Sequence, residues 1–187
     1  FSAFAIPFCI LLLACIWLNI SPFGVETFFK NDGAALTIPT FYQSQRQLQN
    51  GSLFYSWTVG GGSNIFYTLP SMFMNYWLCL IPESQLLSWV TIIEVIKIAL
   101  CGVSMYLYLS RREIGQRMHR NDYRILMFTT AYSLSSYMIS MRGFFSWVDV
   151  LLLFPLILLA MDRLMIKNQK SLYILLLTLG ILINYNI

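Results

Sequence analysis

The chain has 187 residues, of which 58% are hydrophobic, 16% aromatic and only 11% charged, and its mean hydropathy is +0.66. Soluble domains carry about 25% charged residues, so the composition excludes a soluble globular domain, a disordered chain and a nucleic-acid binder, and indicates a polytopic membrane protein. The net charge of +4 says less than the places where the charges sit.

Five apolar segments approach or reach the roughly 20 residues that a transmembrane helix needs. They cover residues 2–20, 85–109, 123–141, 144–161 and 171–187. Each is too long and too apolar for a strand, so an all-α polytopic transmembrane helix bundle is expected. The first run begins at Phe1 with no basic segment before it, and the last stops at Ile187. Residues 1–187 are therefore expected to be the truncated N-terminal part of one transmembrane domain. Leu12-Leu13-Ala14-Cys15 resembles a lipoprotein cleavage site only faintly, since apolar residues continue after the cysteine. A transmembrane helix is the expectation there.

Residues 21–84 form a long loop of different character. Thr40 to Asn50 (TFYQSQRQLQN) reads as a polar or amphipathic helix stopped by Asn50-Gly51. Residues 65–82 are apolar and aromatic but interrupted by Pro70 and Asn75. They can be a sixth span. Interfacial or re-entrant helices are preferred, because Trp and Tyr favour the headgroup level and residues 82–85 connect too briefly to a full span.

Eight of the twelve basic residues fall in two short stretches. Arg111, Arg112, Arg117, Arg120 and Arg124 lie in 110–124; Arg163, Lys167 and Lys170 lie in 162–170. Two spans separate them, so both can be cytoplasmic under the positive-inside rule. The 21–84 loop, the 142–143 turn and the end of the fifth span then face outside.

Cys9, Cys15, Cys79 and Cys101 all lie in apolar runs without a C-x-x-C pair, which argues against a disulfide framework or zinc site. They read as small buried hydrophobes. His119 is the single histidine and sits in a basic loop that reads as a topology determinant. Gly60-Gly61-Gly62 lacks the Lys-Ser/Thr pair of a phosphate-binding loop. Pro155 is expected to kink the fourth span.

Candidate chemistry gathers on the outer face. Asp32 lies about a dozen residues beyond the first span. Asp149 lies about five residues into the fourth, or roughly 8 Å below the outer boundary at 1.5 Å per residue. An intramembrane carboxylate costs at least about 2.5–3.5 kcal/mol unless it meets a cavity or partner, and Arg142 is the nearest partner by sequence. Arg142, Trp147, Asn184 and Asn186 are expected at the same level, around an outward-facing cleft. Glu94 and Lys97 are three apart in the second span and share a helix face, so a structural ion pair between them is expected. Lipid-phosphate binding is the sharper alternative for those two.

The order of segments resembles the N-terminal half of the membrane-embedded GT-C glycosyltransferases, and the wording resembles the bacterial YfhO family of membrane proteins. The stretches that carry the likeness are Pro22-Phe23-Gly24, the Asn31-Asp32 turn with the polar helix after it, LFYSWTVGGGSN from Leu53, and ALCGVSMYLYLSRR at the end of the second span. AYSLSSYMIS in the third span and WVDVLLLFPLILLAMDRL from Trp147 complete it. The resemblance covers nearly the whole chain, and the order and spacing of the motifs make it specific. It implies a multi-pass protein of the bacterial plasma membrane that transfers a sugar, with inversion, from a polyprenyl-phosphate donor to a cell-envelope polymer such as lipoteichoic acid. By that likeness Asp32 is the catalytic carboxylate that takes the acceptor's proton. Asp149 is a second acidic position that orients the acceptor or holds a divalent cation, and Arg142 meets the leaving phosphate. No second acidic residue flanks Asp32, which departs from the GT-C pattern. The competing expectation is a transporter or lipid flippase, for which repeated halves and broken helices would speak.

Overall fold

The computed structural model describes residues 1–29, 35, 38–49, 55–57, 62–64, 77–112, 122–141 and 145–183. Among these the α-helices are α1 (Ser2–Trp17), α2 (Ile38–Gln49), α3 (Glu83–Arg111), α4 (Tyr123–Ser133), α5 (Ser136–Met141), α6 (Phe145–Lys167) and α7 (Lys170–Ile183). A 3₁₀ turn spans Trp77–Leu80, and β1 (Tyr55–Ser56) pairs antiparallel with β2 (Ser63–Asn64), Tyr55 opposite Asn64. The all-α expectation holds for the described residues, with this small hairpin as the one addition.

The chain folds around α3, which has 29 residues and so runs about 43 Å at 1.5 Å per residue. Of the described helices it is the one both long and apolar enough to cross a membrane; α1 and α7 are apolar but shorter. Its buried residues point in all directions, from Val90 and Glu94 to Cys101, Gly102 and Leu109, because α1, α4 and α6 all pack on it.

α1 buries Ala3, Pro7, Leu11 and Cys15, a stripe repeating every four residues that forms one helical face. Pro7 has no N–H, so the Ala3 carbonyl has no donor four residues on. That oxygen lies against Gly102 of α3. A Cβ added at Gly102 would stand 2.6 Å from Ala3 O and 2.6 Å from Ser133 Oγ of α4. Glycine here lets the backbone of α1 and the Ser133 side chain of α4 close on the backbone of α3. Gly102→Ala would stabilise an open helix by about 0.8–1 kcal/mol. Here it is expected to destabilise by about 1–3 kcal/mol through overpacking, read as a lower Tm of the purified protein. A raised Tm would mean that α1 does not close on α3 at this point.

Contacts between helices fix their directions. Gly102 meets Ser133, so α4 runs back along α3. The Tyr132 hydroxyl donates to the Leu151 carbonyl at 2.7 Å, so α6 turns again and runs with α3. Gly180 lies against Ile157, so α7 returns along α6. The ends of α3 and α6, with Arg111 and Lys167, therefore share one end of the bundle. The loop region packs at the other end. There the Ser21 and Ser88 hydroxyls bond at 2.8 Å, and the buried Gln45 amide of α2 donates to the Leu78 carbonyl at 2.9 Å. Arg46 also reaches Glu83 at the start of α3, an exposed pair at 3.2 Å of the kind worth about 0–1 kcal/mol.

Three expectations need correction. The single helix expected over 123–141 is two helices, α4 and α5. The sequence AYSLSS explains the break. Ser133 Oγ donates back to the Thr129 carbonyl at 2.9 Å, a local bond that competes with the helical ladder. Ser135 Oγ then accepts the Met138 N–H at 3.4 Å and starts the next helix as an N-cap residue does. Second, α6 continues past the expected end at 161 to Lys167, and Pro155 lies inside it without ending it. Third, Glu94 and Lys97 do not pair, as described below. Ile38–Gln49 is helical, close to the polar helix expected over 40–50. Within 65–82, residues 65–76 lie outside the described residues, and so does whether that segment spans.

Candidate functional site

Lys97 is the midpoint of α3, about 21 Å from either end at 1.5 Å per residue. Its ammonium lies 2.9 Å from Asp149 Oδ1 and 3.1 Å from Oδ2, and both side chains are 1% exposed. The pair is dry and joins α3 to α6. Next to it the Cys101 thiol faces the Val148 carbonyl at 3.9 Å. Glu94, one turn before Lys97, is 0% exposed. Neither of its carboxyl oxygens has a hydrogen-bond partner among the described residues.

The expected Glu94–Lys97 pair is thus replaced by Lys97–Asp149. Spacing of three residues puts both side chains on one face, but a lysine long enough to leave its own helix takes the carboxylate that α6 presents. The sequence position of Asp149 implies a place just below the end of its helix. It is one turn into α6, yet opposite the middle of α3, because α3 extends much further than α6 does at the end away from Arg111 and Lys167. A cation-holding role does not fit Asp149, since both its oxygens face the Lys97 ammonium. Among the described residues no group of three or more His, Cys, Asp or Glu is placed to hold a metal.

Of the other expected site residues, Trp147 is half-buried, two residues before Asp149 on α6. Asp32, Arg142, Asn184 and Asn186 lie outside the described residues, as do His119, Gly60 and Gly61. Gly62 is described, at φ +124°, where a Cβ would collide with the Tyr55 hydroxyl. It serves a hairpin in which the Tyr55 and Trp57 rings meet edge to face at 5.0 Å.

Sequence reasoning missed Asp162. It is 5% exposed on the last turns of α6, and its Oδ2 has no partner among the described residues. The signal was present: the apolar pattern resumes after Asp162-Arg163 with Leu164, Met165 and Ile166, which carries the helix beyond 161.

No curated protein and no solved structure matches the chain. The family described as bacterial membrane protein YfhO matches residues 2–187. The stretches quoted above thus sit inside a match that leaves out only the first residue, and the chain belongs to the YfhO family of bacterial membrane proteins.

Proposed function

We propose that the protein is a multi-pass glycosyltransferase of the bacterial plasma membrane. It moves a sugar from a polyprenyl-phosphate donor to a cell-envelope polymer, such as lipoteichoic acid, on the outer face. The YfhO match over nearly the whole chain is the observation that carries this reading. The likeness to GT-C enzymes supplies the chemistry. Asp32 takes the proton from the acceptor hydroxyl as its oxygen attacks the anomeric carbon, the C–O bond to the phosphate breaks, and the polyprenyl phosphate leaves. Arg142 meets the leaving phosphate, where a guanidinium can make two parallel hydrogen bonds. Trp147, Asn184 and Asn186 line the acceptor side. Asp149 acts from inside its ion pair, by holding α6 on α3 beneath that site, rather than on the substrate.

The arrangement of helix ends supports an outward site. α3 and α6 both end where the basic residues cluster, and the 21–29 and 38–49 segments pack at the opposite end. With the basic end in the cytoplasm, cysteines introduced at Gln116 and Asn168 should resist a membrane-impermeant thiol reagent in intact cells, while one at Ser52 should react. Labelling at Gln116 from outside would reverse the orientation and remove the outward site with it.

A polytopic transporter or lipid flippase is the second reading. Two observations favour it: the break between α4 and α5, and ionisable groups buried at the middle of the longest helix, both of which mark substrate and ion pathways in transporters. Sugar transfer by the full-length protein in membranes supplied with a polyprenyl-phosphate sugar tests the first reading against the second.

A further inference from the structure

The middle of α3 holds one ammonium and two carboxyl groups. Lys97 faces Asp149 through both carboxylate oxygens. Glu94 is wholly buried, and both its oxygens lack a partner among the described residues. The titratable groups around it are Lys97 and Cys101 on α3 itself and Asp149 from α6. The α4 helix brings Tyr132, whose hydroxyl is given to the Leu151 carbonyl. The packed face of α1 brings the buried thiol of Cys15. Among the described residues no second cation stands in this set. Lys97 can match one carboxylate, and a second one, sealed from water and from donors, is far more costly than the neutral acid.

We propose that Glu94, Lys97 and Asp149 form a proton-exchange site, in which one proton is shared between two carboxyl groups around a single ammonium. In the arrangement seen, Asp149 is the anion that Lys97 holds and Glu94 is the acid. A second arrangement has the same net charge. The proton leaves Glu94 and arrives on Asp149, and Lys97 turns to Glu94, three residues back on its own helix and within reach on that face. Moving the proton then moves the lysine from a contact that joins α3 to α6 to a contact within α3. The join between the two helices is thereby linked to proton position, whichever substrate the protein handles.

The test uses the full-length protein in lipid nanodiscs, with thermal unfolding and infrared difference spectra of the carboxyl region at neutral pH. Glu94→Gln copies the neutral acid and should leave Tm within about 2 °C of the parent, a shift at the edge of what a small stability change gives. Asp149→Asn should lower Tm by a larger amount but leave the protein folded, because Lys97 turns to an ionised Glu94. The parent should show a carboxylic-acid carbonyl band that both single variants lose. Combining the two changes takes both carboxyl groups away from Lys97 and should lower Tm by more than the two single effects together, the non-additivity expected of groups that share a partner. The proposal is overturned if Glu94→Gln costs as much as Asp149→Asn, since Glu94 would then be a standing anion. It is equally overturned if the carboxylic-acid band is absent from the parent, or if the double variant is no worse than Asp149→Asn alone.

Discussion

Full-length protein carrying Asp32→Asn should insert and accumulate normally yet lose most of its polymer glycosylation, by the 10²–10⁴-fold that a general base typically contributes, roughly. The substitution keeps the size of the side chain and most of its hydrogen bonding. It removes the ability to accept the acceptor's proton at neutral pH. Asp32 follows the first helix by about a dozen residues. The segments before and after it, 21–29 and 38–49, pack at the end of the bundle away from the basic cluster. The base role proposed for Asp32 rests on the likeness to GT-C enzymes. The variant should bind donor lipid as the parent does, because the lost interaction is made only as the acceptor oxygen attacks. Unchanged glycosylation at normal protein levels would make Asp32 an ordinary loop residue. The sugar-transfer reading of this site would then be given up, and the transporter reading would move ahead.

Much of the helical layout is legible in the residues because it follows from local pattern. The second apolar run becomes α3, and the polar run TFYQSQRQLQN becomes most of α2, since length, apolar content and a turn signal each act locally. The break at Leu134–Ser135 was hidden for a physical reason. The five serines and threonines of 129–136 count as mildly polar in an otherwise apolar window, while their effect depends on which carbonyl each hydroxyl finds. Side-chain partners were harder still. Glu94, Lys97 and Asp149 all stand out as charges within apolar runs, but adjacency on one helix suggests the wrong pair. Which carboxylate a lysine takes depends on what a neighbouring helix presents at that depth, and that is set by two successive reversals of the chain rather than by any local spacing. Asp162 differs: the apolar residues 164–166 that carry α6 past 161 are a local signal.

The largest stability effect is expected from Lys97→Met. Methionine fills a similar volume and suits an apolar interior, so packing changes little. What changes is charge: the variant takes the Lys97 ammonium away from Asp149. Removing one partner of a buried ion pair typically costs about 3–5 kcal/mol, most of it the penalty of the charge left behind. The loss is measured as the difference in Tm between the variant and the parent, both as purified full-length protein at neutral pH. Adding Asp149→Leu to it should recover much of the loss, because replacing both members of a buried pair by apolar groups is often neutral. A Lys97→Met protein as stable as the parent at neutral pH would mean that the ammonium does not hold α3 and α6 together. Asp149 would then have to be reconsidered as a group free to meet substrate, and the outward cleft, rather than the middle of the bundle, would regain it.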